Sequence, residues 1–528
     1  MLINFTKKYL FLVLLLANTT HYLHSFSTNC YYGNDPYPMF STLDPHEFMY
    51  RWHREWLKGL SDKDEQERIR FAVSPFAQFA DRGRNIKNDE IYLGDLGGRW
   101  NMIALLFGET PQGKTLPQSL ETAKDNLFGV NAGVIENPEL YVDPTQRFGF
   151  FAVPLKYRKY GVRFEADFRL VRDLGFSVQF GYACICQRLE DVCLQYDICR
   201  GVSCVPSICD TSCDTSSECT VCPPDNTVEA ETLSPPCDTT CCPDCAHRNY
   251  RLPIDLTPCS PCSQYPPSTL NPAGAKEITR EKVQFYLMRQ LHTIAQELDL
   301  DLCDFNKASI EDVRFNFYWR HALEVNEDKG DSWEHFLLIP FLEACFVVGT
   351  GDARNTSCMF SLPFGNNCHN AVGFKGGFLL DFTETVEFGF EAGLTHFFSK
   401  TFSCYRVPNS IHQSGIYPFT TSVRICPGLN CHGSFTLGTH HFLGRLSTFF
   451  QYLVIMHKDD TICLCQKDPA FQPCLLERKS CWKSHLANIA FNYDISENIS
   501  LGVLWQAPLS QKRAYRSSTV MFSINLVY

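Results

Sequence analysis

The sequence predicts an all-β fold: a transmembrane antiparallel β-barrel of about fourteen strands, with twelve as the alternative count, bearing short helices and a Cys-rich external loop. Three observations predict it. Apolar residues recur at every second position in run after run. The runs exceed the mean strand of about 5–6 residues and match the roughly 9–11 that a tilted strand needs to cross a bilayer. Their two faces also differ in kind. One is rich in Phe, Tyr and Trp, and the other carries charges of both signs, as aromatic girdles and a hydrated interior require.

The first residues, "MLINFTKKYLFLVLLLANTTHYLHSFS", set Lys7 and Lys8 ahead of an apolar core from Tyr9 to Ala17. That core is too short to span a bilayer as a helix and suits a secretory signal peptide over residues 1–27. The most apolar later segment, "FLLIPFLEACFVVG" (336–349), is also short and carries Pro340 and Glu343. Crossing a membrane is therefore left to strands. A composition of 45% hydrophobic and 20% charged residues excludes general disorder. The net charge of -11, from 58 acidic against 47 basic residues, argues against a nucleic-acid binder.

Residues 28–68 read as an N-terminal helical segment. In "DPHEFMYRWHREWLKGL", Asp44, Pro45 and Glu47 take the N-cap, N1 and N3 positions of a helix start. Phe48, Trp52 and Trp56 share one face, and a helix packed by that stripe is expected on the periplasmic side or in the barrel mouth.

The barrel itself is expected over 69–528. The clearest block is "YGVRFEADFRLVRDLGFSVQFGYA" (160–183), where Val162, Phe164, Ala166, Phe168 and Leu170 alternate with Arg163, Glu165, Asp167 and Arg169. In "VRFNFYWRHALEVN" (313–326), Val313, Phe315, Phe317 and Trp319 alternate with Arg314, Asn316, Tyr318 and Arg320, and the pattern continues to Glu324. Strands are expected near 69–81, 97–108, 147–157, 160–171, 174–186, 312–326, 333–348, 370–382, 385–399, 416–425, 440–456, 483–494, 498–507 and 515–528. Most turns between them on one side are short, although 109–146 and 426–439 are longer segments assigned to that same, periplasmic side. The long connections 186–312, 349–369 and 457–482 fall on the other. Backbone groups cannot stay unpaired in hydrocarbon, so the strands must close into a ring.

Cysteine is the unusual component. Fifteen of the 27 lie between Cys184 and Cys262, and all but Cys184 and Cys186 of these fall in a Cys-rich external insertion at 187–311. The pairs Cys219/Cys222 and Cys242/Cys245 have the spacing of a zinc site. An exported chain favours disulfides instead, since a segment with little apolar material needs staples. The odd total leaves at least one thiol for a neighbouring copy. The insertion ends in "TREKVQFYLMRQLHTIAQELDL" (279–300), with Thr279 as N-cap and Val283, Leu287, Leu291, Ile294 and Leu298 at helical spacing. A helix folding over or into the barrel mouth is expected.

No G-x-S-x-G, H-E-x-x-H or P-loop pattern is present, and the spacing pairs none of His321, His396, His440 and His441 with a nucleophile. The chain is expected to be no enzyme and to carry no cofactor.

The final residues, "VMFSINLVY", place Val520, Phe522, Ile524, Leu526 and Tyr528 on every second position. This stretch resembles the C-terminal β-signal of Gram-negative outer-membrane proteins, a terminal aromatic preceded by alternating apolar residues. The resemblance implies location in that membrane, recognition by the barrel-assembly machinery, and pairing of the last strand with the first. It points to a porin-like channel for passive diffusion of small solutes or ions, with Arg163, Glu165, Asp167, Arg169, Arg314, Arg320 and Glu324 lining the lumen. The alternative is a surface adhesion or envelope-scaffold protein anchored by the barrel, homo-oligomeric or disulfide-linked to its neighbours. In character, though not in motif, the chain is similar to the cysteine-rich porins of chlamydiae, which combine the two.

Overall fold

The computed structural model describes Pro36, residues 69–128 except 107, 150–190 except 172, 286–325 except 288 and 322, 336–382, 386–439, and 443–527 except 497. Twelve strands form a closed antiparallel ring. In chain order they are β1 (Ile69–Ala80), β2 (Leu155–Val171), β3 (Leu174–Leu189), β4 (Val313–Arg320), β5 (Phe336–Val348) and β6 (Ala371–Phe382). The second half consists of β7 (Val386–Phe397), β8 (Asn430–Thr439), β9 (Leu446–His457), β10 (Trp482–Asp494), β11 (Ile499–Lys512) and β12 (Ser518–Val527). Each strand pairs with the next, and β12 returns to β1 with Leu526 opposite Phe71 and Val520 opposite Ala77. The ring is therefore a simple meander, and closure leaves no free edge.

The period of two decides which way each side chain points. Along β1, Arg70, Ala72, Ser74, Phe76, Gln78 and Ala80 are buried, while Phe71, Val73 and Phe79 are exposed. Along β2, Arg163 is 4% exposed and its neighbour Phe164 38%. A water-soluble protein shows the reverse arrangement, and buried charge beside exposed aromatics is the informative inversion. On the outer surface the rings pack in rows across strands, Phe164 against Phe180 at 5.3 Å and Phe176 against Phe317 at 4.7 Å between centroids.

The two ends of the ring differ. At one end the wall strands follow one another after short intervals, Val171 to Leu174, Phe382 to Val386, Thr439 to Leu446 and Asp494 to Ile499. β4 ends and β5 begins there too, and Leu323–Val325 pairs with the start of β5. At the opposite end are the connections 81–154, 190–312, 349–370, 398–429 and 458–481. Outer-membrane barrels have short periplasmic turns and long external loops.

Several segments differ from the sequence expectation. The count is twelve, the stated alternative to fourteen. Residues 97–108 form Trp100–Asn101 and a 3-10 turn at Ile103–Leu106, buried in an apolar cluster rather than in the wall. Of 147–157, Phe150–Phe151 pairs with Trp100–Asn101, and Leu155–Tyr157 opens the long strand β2. The strand at 416–425 is real, but it belongs to a separate three-stranded sheet of Lys400–Val407, Phe419–Cys426 and Thr461–Leu464. The segment 426–439, expected as a periplasmic connection, contains β8. The described part of 109–146 stands at the long-loop end, since it joins the upper ends of β1 and β2.

That end carries an apolar cap. Leu93, Trp100 and Met102–Leu106 pack with Leu120 of α1 (Gln118–Phe128), with Leu291 and Ile294 of α2 (Leu291–Glu297), and with Phe360 and Phe364. The expected helix at 279–300 thus appears as α2 over the mouth, with Leu287, Leu291, Ile294 and Leu298 all buried. Ser119, at the start of α1, donates its N–H and its hydroxyl to Glu297 at 3.0 and 2.9 Å. A carboxylate there also meets the positive end of the helix dipole. A third helix, α3 (Cys474–Ser480), lies in the connection 458–481. The expected helix over 44–60 and Cys193–Cys262 lie outside the described residues.

Candidate functional site

The bore of the barrel is the candidate site, and its lining divides into two sectors. From β9 through β12 to β1 the inward side chains at mid-wall are neutral, and the buried cation of β1, Arg70, stands opposite Asp167 of β2. Asn488 donates to Gln451 at 2.8 Å, and Gln451 to Ser434 at 3.0 Å. Thr519 donates to Gln506 at 3.2 Å, Gln78 to Thr519 at 3.1 Å, and Tyr157 to Gln78 at 2.9 Å. The register makes this an amide and hydroxyl belt, with Gln451, Asn488, Gln506, Thr519 and Gln78 directly opposite one another in sequence around the wall.

Most of the buried charged side chains stand between β2 and β8. Lys159 and Arg163 both reach Glu311, the former at 2.7 Å. Arg163 binds it through Nε at 2.7 Å and Nη2 at 3.0 Å. Gln179 donates to Glu165 at 3.2 Å, and Arg314 donates to the other end of that amide at the same distance. Tyr318 donates to Asp167 at 2.6 Å, and Lys375 pairs with Glu343 at 2.9 Å. Arg320, Asp381, Glu387, Glu391 and His432 are buried on the same stretch of wall. Groups of this kind are tolerated inside only when paired or hydrogen-bonded.

Glu311 owes its position to a break in the wall. The strand Phe305–Ile310 pairs with the upper part of β3, β4 pairs with the lower part, and Glu311 and Asp312 lie between them. Glycine makes the space: a Cβ at Gly181 would stand 2.5 Å from Glu311 Oε2. Asp312 accepts N–H bonds from Gly351 at 3.0 Å and Asn366 at 2.6 Å, anchoring the loop 349–370 to the wall.

Of the residues singled out in the sequence, Arg163, Glu165, Asp167 and Arg320 are buried on the inward face, and Arg314 is half-buried there. Arg169 and Glu324 have inward registers, but their side chains lie outside the described residues. Val520, Phe522, Ile524 and Leu526 point outward from β12. The sequence reading missed Lys159, Glu311, Glu343, Lys375, Glu387, Glu391 and His432. Glu387 and Glu391 stand at alternate positions in "VEFGFEAG" and could have been found there. His321 pairs with Asp173 at 2.9 Å near the short-turn end, and His396 faces outward against Phe398.

Among the described residues, no group of three His, Cys, Asp or Glu could hold a metal ion. Cys219, Cys222, Cys242 and Cys245 lie outside them. No disulfide joins any two of the described cysteines.

No family model matches the chain, and no curated protein sequence does. Among solved structures it is similar to an outer-membrane channel from Pseudomonas putida F1, at 7% identity and TM-score 0.41, over 89% of this chain and 98% of that one. It is also similar to the translocator domain of autotransporter NalP from Neisseria meningitidis, at 7% identity and TM-score 0.28, over 92% and 96%. A Pseudomonas aeruginosa FadL homologue is similar at 8% identity and TM-score 0.27, over 88% and 90%.

It is the chain's own two faces that assign it. An exposed apolar surface around a closed ring with a charged interior has one compatible surrounding, a bilayer. The barrel spans a membrane. Its antiparallel meander, short-turn end and long-loop end place it in the outer membrane of a Gram-negative bacterium.

Proposed function

We propose that the barrel is a channel of the outer membrane through which small polar solutes or ions diffuse passively. It needs no cofactor and performs no chemistry. The observation that carries this reading is the charged sector of the bore, where Arg163, Glu165, Asp167, Arg314 and Arg320 turn inward against a wall of neutral amides. Arg169 and Glu324 extend the same lining. Charges of both signs on one side give a transverse field, which orients polar solutes and holds hydrated ions without binding either sign strongly. The outer partner is lipid, and the outward residues Val520 to Leu526 of the closing strand, with Tyr528, are what the assembly machinery reads. Reconstitution into liposomes tests the reading: sugars and small ions should cross faster with folded protein than with the same lipid alone. Equal rates would overturn it.

A second reading has its own observation. The three-stranded sheet at the long-loop end has a core of its own, with Val407, Phe419, Val423, Ile425, Ile462 and Phe471 buried together. That much folded structure outside the membrane suits a surface adhesion or envelope-scaffold role, with the Cys-rich insertion linking neighbouring copies through disulfides. Thiol labelling of intact cells before and after reductant separates the two. Extensive oxidation with cross-linked oligomers supports the scaffold.

A further inference from the structure

Cys184 and Cys186 stand at alternate positions near the long-loop end of β3. Their neighbours Ala183 and Ile185 turn inward and are buried in the apolar cap, so the two thiols share the outer surface of the barrel. The sulfurs lie 3.9 Å apart. On the adjoining strand Phe305–Ile310, the side-chain oxygen of Asn306 accepts from both, at 3.4 Å from Cys184 and 3.1 Å from Cys186. From β2 on the other side, the Tyr160 hydroxyl comes within 3.9 Å of Cys186. Arg158 stands opposite Cys186 in register, Arg188 is the next outward residue along β3, and both are exposed. Tyr160 and Tyr182, also exposed, mark the aromatic level of the outer surface here. An ion in the external medium therefore reaches these thiols without entering hydrocarbon.

A disulfide between the two does not fit the strand. Residues two apart are separated by about 6.6 Å along it, with their Cβ atoms on one side at a similar spacing. A disulfide holds the Cβ atoms at about 3.5–4.5 Å, so closing one would break the pleat. A metal ion fits better. Bonds of about 2.3 Å to thiolate sulfur span up to about 4.6 Å between two sulfurs, and the thiols need little adjustment to take one. Two thiolates with only an amide and a phenol oxygen beside them are too few for tetrahedral zinc. Thiolates select soft ions, of which Cu(I) is the commonest in proteins beside zinc and iron–sulfur clusters.

We propose that Cys184 and Cys186 form a two-thiolate site for Cu(I) on the outer rim of the barrel, with Asn306 orienting both sulfurs. Each thiol releases its proton to water as its sulfur–metal bond forms. The bis-thiolate complex carries one net negative charge, which Arg158 and Arg188 balance. The site lies outside the bore, and conduction does not depend on it.

The test is alkylation of the full chain, purified folded from outer membranes without reductant and handled without oxygen. Each cysteine is read by mass spectrometry, with and without Cu(I) buffered by a competing chelator. Heat-modifiable mobility first establishes that each variant is folded. Both thiols should react in the metal-free protein, and Cu(I) should slow them together several-fold, while Zn(II) at the same concentration should not. Cys184→Ser should abolish the protection of Cys186, and Cys186→Ser that of Cys184. The comparison on the unsubstituted chain decides alone where a serine variant does not fold. Equal alkylation with and without Cu(I), protection of one thiol that survives loss of the other, or thiols that react only after reductant would overturn the proposal.

Discussion

Arg163 holds Glu311 inside the barrel wall by two parallel hydrogen bonds, at 2.7 and 3.0 Å, and Lys159 adds a third contact at 2.7 Å. All three side chains are buried. Two cations share one carboxylate, so removal of that carboxylate leaves both uncompensated. Glu311→Gln should destabilise the folded barrel by roughly 3–5 kcal/mol, whereas replacing Arg163, Lys159 and Glu311 together by apolar residues of similar volume should cost far less. Urea unfolding of protein in micelles, read by tryptophan fluorescence, measures both.

The two faces should respond differently to charge. Phe164→Arg or Phe317→Arg places a guanidinium in lipid and should cost roughly 2–4 kcal/mol near the midplane. Asp167→Asn keeps an acceptor for the Tyr318 hydroxyl and removes one inward charge, so it should be milder and should shift ion selectivity. Reversal potentials and unfolding midpoints of the three variants check this. Equal destabilisation would indicate a sheet buried on both faces.

The closing seam should be indispensable. β12 pairs with both β11 and β1, so deleting Phe522–Tyr528 opens the ring along two seams. Loss of the heat-modifiable band and of outer-membrane fractionation is expected. A folded, correctly located truncation would refute the pairing as an assembly requirement.

The cap should respond to pH through Asp95. Burial raises its carboxyl from 3.8 to about 6, against the opposing effects of the Val153 N–H and Arg99. The folded state then binds this proton more tightly than the unfolded one, so the contribution is complete below about 4 and is lost as pH rises to about 6. The change is about 3 kcal/mol from the shift alone. Asp95→Asn retains an acceptor for Val153 and should flatten this slope. Hydrogen exchange of residues 93–106 between pH 4 and 7 measures it.

The wall was legible wherever alternation met contrast between the faces. In β2 and β4 outward aromatics alternate with inward charges, and in β3 with small and neutral polar residues, so these strands could be read. β8 was hidden because its sequence, NCHGSFTLGT, offers only Phe435 and Leu437 as large outward residues, between small ones. The strand Phe419–Cys426 misled in the opposite sense. Its alternation is genuine, but Phe419, Val423 and Ile425 face a small core outside the membrane. A period of two specifies a half-buried strand and not the medium on its other side. Glu343 lay in the run FLLIPFLEACFVV, apolar on both faces because Leu337, Ile339 and Phe341 turn inward. Glu311 sits where the strand breaks, and no periodic pattern reaches it.

Single-channel recording in planar bilayers tests the central claim most directly. Folded protein should give discrete, small conductance steps that scale with salt concentration, and Glu391→Gln or Asp167→Asn should alter their ion selectivity. Folded, heat-modifiable protein that inserts and yet leaves the bilayer as insulating as lipid alone would contradict a conducting bore and leave the barrel as an anchor.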